Sequence, residues 1–207
     1  FQNIPAVLSF KDSFNIYYPK LGSDGGIKML HPLHENIGRC IDSNIFFNCK
    51  IIKDPVCGGQ QNVPLFCSTN KSNKTEYCNV DLLIFKDNKI RVIIEIEETD
   101  IKPTQICGKY LTSALSSYFI HKSEDKKPIN MDESVLFIQI LDTSKLKKDK
   151  TSKIEQWKNI EKSMQNIIPV KGSKINNYKL FWGDILDFKK NEETRNELIN
   201  CIKEALK

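Results

Sequence analysis

A chain of 207 residues, 40% hydrophobic and 28% charged, has the composition of one globular domain with a sizeable core. No apolar run approaches the roughly 18 residues of a membrane span, so a membrane-spanning helix is excluded and the expected location is cytoplasmic. The formal charge of +5 is mildly basic and suits a polyanionic partner without requiring one.

Residues 1–31 read as an N-terminal arm or irregular segment. Its start, Phe1-Gln2-Asn3, lacks Met and a basic n-region, which points to a trimmed chain or a fragment and not to a signal peptide. Leu21-Gly-Ser-Asp-Gly-Gly26 is a flexible turn; no Gly-Lys-Ser/Thr follows, so it is not a phosphate-binding loop. A helix is predicted from about Pro32 to Asp42, with Leu33, Ile37, Cys40 and Ile41 on one face. Ile45 to Ile52 reads as a strand. Residues 58–75 are polar and turn-rich, a long loop in which Asn70-Lys-Ser and Asn73-Lys-Thr match the glycosylation pattern but read as plain loop.

Two β-rich runs follow. Val80 and Leu82 to Phe85 make the first, Ile90, Val92 to Ile94 and Ile96 the second, and Asp87-Asn88 lies between them, predicting a hairpin. Strands apolar on both faces belong inside a covered sheet, where carboxylates need a partner or a metal. Asp81, Glu95 and Glu97 break that pattern. Period-2 alternation puts Glu95 and Glu97 on one face. A two-residue Asp87-Asn88 turn would leave Asp81 opposite Ile94, on the other face. A three-residue loop closing on a left-handed Asn88 shifts the parity and brings Asp81 to the glutamates, so the odd-length loop is expected.

Pro103 to Ile120 reads as an amphipathic helix. Its core stripe is Cys107, Tyr110, Leu111, Ala114, Leu115 and Tyr118, and its polar stripe is Gln105, Lys109, Thr112 and Ser116. Ser134 to Leu141 is a further strand. Lys145, Lys147, Lys148, Lys150 and Lys153 form a basic loop, either solvated or in contact with DNA. A helix over about Ser152 to Ile168 turns Ile154, Trp157, Ile160, Met164, Ile167 and Ile168 inward. Tyr178 to Trp182 is a short strand. Asn191 caps a closing helix with Leu198, Ile202 and Leu206 inward. The order describes a three-layer α/β domain with a central mixed sheet flanked by helices: a core over 32–142, then C-terminal helices and a strand over 143–207.

The seven cysteines include no Cys-x-x-Cys pair, and Cys49, Cys57, Cys67 and Cys78 follow at intervals of eight to eleven residues. Reduced thiols of a cytosolic protein are the expectation; a zinc site, with His31, His34 and Cys40 as further donors, is the alternative.

Three converging carboxylates can hold one or two Mg²⁺ ions, with Mn²⁺ as a substitute. Asp81 and Glu95 would be ligands, the backbone carbonyl of Ile96 could add an oxygen, and Glu97 would orient or deprotonate a water attacking a phosphate. Asp81, thirteen residues, then Glu95-Ile96-Glu97, on a hairpin followed by a helix, resembles the PD-(D/E)XK nuclease superfamily over roughly residues 33–142. It is most similar in flavour to type II restriction endonucleases. The resemblance implies a restriction-endonuclease-like core and a Mg²⁺-dependent endonuclease hydrolysing double-stranded DNA, most naturally as a homodimer. It also implies an acidic metal ligand on the first helix, for which Glu35 is the candidate. Val80 stands in place of the family's proline, and Glu97 in place of its lysine. A minority Glu-x-Glu form exists, or Lys109 or Lys102 supplies the ammonium from the following helix.

Other readings stay open. Glu95 and Glu97 could face solvent beside Arg91 or a lysine, Asp81 could cap a turn, and Lys109 and Gln105 could line a solvated helix face. Glu98 and Asp100 read as surface or capping residues, and His31, His34 and His121 as structural or surface. A structure-specific or repair nuclease, or an inactive nucleic-acid-binding protein, are the alternative functions.

Overall fold

A computed structural model describes residues 31–99, 101–146 and 151–207. The N-terminal arm up to residue 30, Asp100 and residues 147–150, with three lysines of the basic loop, lie outside the described residues. In chain order the elements are α1 Pro32–Cys40, β1 Cys49–Lys53, β2 Pro64–Phe66, β3 Glu76–Asn79, β4 Leu82–Lys86, β5 Lys89–Glu97, α2 Pro103–Ala114, β6 Tyr118–Phe119, β7 Ile129–Asp142, α3 Thr151–Ile167, β8 Ile175–Gly183, α4 Ile185–Lys189 and α5 Glu192–Ala205.

These build a mixed sheet in the order β1-β4-β5-β7-β6-β2-β3, with β8 on the other part of β7. β5, β7 and β8 run parallel; β4 is antiparallel to β5, and β1 to β4. β2, β3 and β6 form a short antiparallel extension beside the start of β7. Alternation along the central strands gives each face its own core. Leu83, Phe85, Ile93 and Phe137 pack with Ile106 and Tyr110 of α2 and Trp157 and Met164 of α3. Leu82, Ile84, Val92, Ile94 and Ile138 pack with Leu33 and Ile37 of α1, Phe188 of α4, and Leu198 and Ile202 of α5. This is the three-layer α/β architecture that the period changes imply.

The hairpin loop departs from expectation. Lys86 pairs with Lys89, so Asp87 and Asn88 form a two-residue turn, with φ of 52° and 58°, the mirror-image turn whose twist suits a hairpin. The parity shift is nonetheless present, through a bulge: Phe85 pairs with Ile90, but Ile84 pairs with Val92, leaving Arg91 as the extra residue. Beyond it Leu82 faces Ile94, and continuing the register sets Asp81 opposite Glu95.

Other expectations need correction. The strand expected from Ile45 begins at Cys49, after turns that include Asn48 at φ 60°. The 58–75 loop contains β2, and β3 follows it. The helix expected to reach Ile120 stops at Ala114, because Tyr118 and Phe119 join the sheet. On α2 the buried face is Ile106, Tyr110, Ser113 and Ala114, whereas Cys107, Leu111 and Leu115 are exposed. Ile167 of α3 is also exposed, and Trp182 is half-buried under the Lys158 ammonium. α4 has no counterpart in the sequence reading.

α1 is seated by a close approach. A Cβ on Gly38 would lie 2.0 Å from the carbonyl oxygen of Cys57, so only glycine lets the helix meet that backbone. Lys53 Nζ donates to the Gly38 carbonyl at 2.6 Å from the end of β1. These contacts fix the helix that carries His34.

Candidate active site

The C-terminal half of β5 is buried along its whole length, and two of its residues are acidic: Glu95 is 1% exposed and Glu97 6%. Carboxylates in such a place require compensation. α2 supplies it from one face, since Gln105 and Lys109 are one turn apart. Lys109 Nζ lies 2.8 Å from Glu95 Oε2 and 2.8 Å from Glu97 Oε1. Gln105 Nε2 donates to Glu97 Oε2 at 3.1 Å.

Asp81 arrives from the neighbouring strand, just before β4. Its Oδ2 accepts the Ile96 N–H at 2.6 Å. In an extended strand the N–H and C=O of one residue point to the same edge, so the Ile96 carbonyl is aimed at that edge too. α1 closes the other side. His34 Nε2 is 3.6 Å from Asp81 Oδ2, and His34 Nδ1 is 3.0 Å from Glu98 Oε1, which also accepts the His34 backbone N–H at 2.8 Å. His31 Nδ1 lies 3.6 Å from Glu98 Oε2. Asp54, at the end of β1, donates its backbone N–H to the Asp81 carbonyl at 2.9 Å and accepts the Cys57 N–H at 2.8 Å.

The charges interact strongly. Burial, then the neighbouring charge of Asp81, pushes Glu95 well above the carboxylate range against the pull of Lys109. Burial pushes Asp54 up as well, with Asp81 adding to it. Burial alone would also raise Asp81, but His34, Lys109 and the Ile96 N–H outweigh it and hold the group low. Glu98 is held low by His34 in the same way. For His34 burial acts to lower the pKa, and Asp81 and Glu98 on its two sides overcome this and raise it to about 10. Lys109 is likewise held charged by Glu95, Asp81 and Glu97.

Asp81, Glu95, Glu97 and Glu98, among the described residues, make their ion pairs with half-buried Lys109, buried His34 and, for Glu98, His31. Among the described residues, Glu95 Oε1 is buried with no hydrogen-bond donor. An acceptor-rich, negative, oxygen-lined site of this kind fits a hard divalent cation. Asp81, Glu95 and the Ile96 carbonyl are the candidate oxygen donors. The site sits at the carboxyl end of a parallel strand, the usual place for ligands in open α/β sheets.

Of the residues singled out by sequence, Asp81, Glu95, Glu97, Ile96, Lys109 and Gln105 come together here. Glu35 points elsewhere and pairs with Arg39 on the surface of α1. Lys102 is exposed at the start of α2. Glu98, expected to be a surface or helix-capping residue, is 5% exposed and accepts the His34 backbone N–H in the first turn of α1 as well as facing the His34 ring. Sequence reasoning named His34 as a possible zinc donor but missed its place on α1 beside Asp81 and Glu98. Its signal was the His31-x-x-His34 spacing at a helix start, which puts both imidazoles on one side of the first turn. No protein-family model, curated protein or solved structure matches the chain.

Proposed function

We propose that the protein is a Mg²⁺-dependent DNA endonuclease of the PD-(D/E)XK kind, resembling a type II restriction endonuclease that cuts a specific double-stranded site as a homodimer. One observation carries this reading: Lys109 Nζ sits between Glu95 and Glu97, with Asp81 on the adjoining strand. The ammonium that the family motif places on the strand comes here from α2, one helix later. Asp81, Glu95 and the Ile96 carbonyl would hold the Mg²⁺. When bound, the ion lowers the pKa of a coordinated water and neutralises charge building on the scissile phosphate. Lys109 orients the attacking water and balances the phosphate's charge. Glu97, bound by Lys109 and Gln105, is a positioning residue for that ammonium. Near the site, exposed Lys102 and Lys145 suit the phosphate backbone. All seven cysteines are free thiols, which suits the reducing cytoplasm.

The test is incubation of the purified protein with unmethylated phage DNA in Mg²⁺ and in EDTA. Discrete Mg²⁺-dependent bands that vanish in Asp81→Asn support a site-specific endonuclease. A Mg²⁺-dependent smear moves the reading to a repair or processing nuclease. Intact DNA, with no Mg²⁺ or Mn²⁺ bound in a parallel titration, overturns the catalytic reading and leaves a nucleic-acid-binding protein.

A further inference from the structure

His31, His34 and Glu98 form a second cluster that the proposed nuclease chemistry does not use. They lie at the start of α1 and just beyond the end of β5, and their donor atoms all fall within 4.8 Å of one another. His34 Nδ1 is 3.0 Å from Glu98 Oε1, and His31 Nδ1 is 3.6 Å from Glu98 Oε2. Bonds of about 2.0–2.1 Å to Zn²⁺ give a tetrahedral donor–donor edge of about 3.4 Å; the two separations, each to a different oxygen of Glu98, are of that size, and one of those oxygens would serve as the ligand. The imidazole rings meet edge to face, with centroids 5.3 Å apart and planes at 74°. The Glu98 side chain is 3% exposed and that of His34 10%, so the donors are held in place by packing.

We infer that His31, His34 and Glu98 bind a borderline-soft divalent transition ion, Zn²⁺ in the first instance. The donor chemistry separates this site from its neighbour. Two imidazoles and one carboxylate select Zn²⁺ or a similar ion, whereas Asp81, Glu95 and a carbonyl select Mg²⁺. Three protein ligands leave one position open for water or a substrate oxygen. Glu98 is also among the residues that line a cavity of about 460 Å³, with Lys102, Asp142, Lys145 and Lys153, and those lysines suit an anion approaching on the Glu98 side. His34 Nε2 lies 3.6 Å from Asp81, so an ion on Nδ1 takes the place of the proton between Nδ1 and Glu98, releases it to solvent, and stands one imidazole away from the proposed Mg²⁺ ligands. The inference does not rest on the nuclease reading, because neither Glu95 nor Lys109 takes part.

The experiment uses the full chain, stripped with a chelator, dialysed and titrated with Co²⁺ as a spectroscopic stand-in and with Zn²⁺ by calorimetry. One ion per chain is expected, with the visible bands of a four-coordinate nitrogen–oxygen site. His31→Gln, at a partly exposed position, and Glu98→Gln should each weaken binding at least about tenfold. Glu95→Gln should leave the Co²⁺ spectrum unchanged while removing Mg²⁺ binding, so failure of one site is distinguishable from failure of the other. A thiolate-to-metal charge-transfer band would put the ion on cysteines and overturn the assignment. So would unaltered affinity in His31→Gln, or no uptake by the stripped protein.

Discussion

The two ends of β5 both carry charged residues, under opposite conditions. At its start, Lys89 and Arg91 share Asp132 at 3.2 and 2.7 Å, and the Arg91 guanidinium also donates to the Ala205 carbonyl at the end of α5, at 2.7 and 3.2 Å. Two cations meet one carboxylate and a helix C-terminus, and water reaches all of them. At the other end the balance reverses: Asp81, Glu95, Glu97 and Glu98 converge on Lys109 and His34, largely out of water. A structural ion pair is a closed arrangement of matched groups. A buried site with surplus negative charge, and an acceptor such as Glu95 Oε1 with no donor, is arranged for a cation that the chain itself does not supply.

If that is the distinction, the largest effects belong to the carboxyl end and are effects on activity. Asp81→Asn or Glu95→Gln should lower Mg²⁺-dependent cleavage by about a thousandfold, since a bound metal contributes several kcal/mol and each 1.36 kcal/mol is tenfold in rate. Folding stability in EDTA should hold or rise in Glu95→Gln, because burial and Asp81 already disfavour a charge there, and should fall in Asp81→Asn, because His34, Lys109 and the Ile96 N–H favour the Asp81 carboxylate. A loss of stability comparable to the loss of activity would make these residues structural. Because Glu95 is pushed up by burial and by Asp81, Mg²⁺ affinity should climb as pH rises and the carboxyl ionises. Lys109→Met tests the same balance from the cation side. Removing the shared partner of Glu95 and Glu97 should lower stability by about 3–5 kcal/mol in urea denaturation at pH 7. Mg²⁺ or acid should restore part of it, an outcome that a simple packing defect would not give.

His34 offers a smaller effect with a defined pH signature. Its folded pKa is raised from 6.5 to about 10, so its contribution is complete below pH 6.5 and disappears as pH rises through 10. The wild-type protein should therefore lose more stability than His34→Gln between those limits, by on the order of a few kcal/mol. Parallel curves for the two proteins would show that His34 is neutral in the fold.

Much of this was legible in the chain. The apolar runs on both faces of β4 and β5 required a covered central sheet, and acidic residues within them required an explanation. The 3.6-residue period of α2 put Gln105 and Lys109 on one side. The register of the hairpin was not legible. Asp87-Asn88 makes its own two-residue turn, while the parity is reset by a bulge at Arg91. That bulge is matched by an irregularity in β7, where the partners jump from Ile90–Met131 to Val92–Leu136. Arg91 pairs with Asp132 inside that jump and with Ala205 more than a hundred residues away. Contacts so distant leave no local pattern to read. β2 and β3 were hidden for a similar reason: three or four residues each, they are held by partners and not by propensity. The role of α1 was misassigned because family resemblance favours an acidic residue there. Burial decided otherwise, turning His34 inward and leaving Glu35 with Arg39.

The smallest predicted effect falls at the start of β5 and separates its two ends most cleanly. Asp132 is held down at about 2, chiefly by its hydrogen bond from Arg91. That stabilisation is present above the ordinary carboxylate range and is lost as pH falls through about 2. Arg91→Met removes the bond to Asp132 and both donors to Ala205, so stability at pH 7 should fall by about 1.5–3 kcal/mol, the usual range for hydrogen bonds to a charged group. The two stability curves should converge as pH falls through the ordinary carboxylate range toward about 2, because Asp132 in the variant, with only Lys89 left beside it, has little of that stabilisation to lose. Mg²⁺ affinity and cleavage should be unchanged as long as the bulge persists, since Asp81 still faces Glu95. If Arg91→Met abolishes Mg²⁺ binding while the fold survives, the salt bridge is what sets the register. The two ends of β5 would then be coupled through the bulge: the ion pair at one end would hold the carboxylates of the other on a common face.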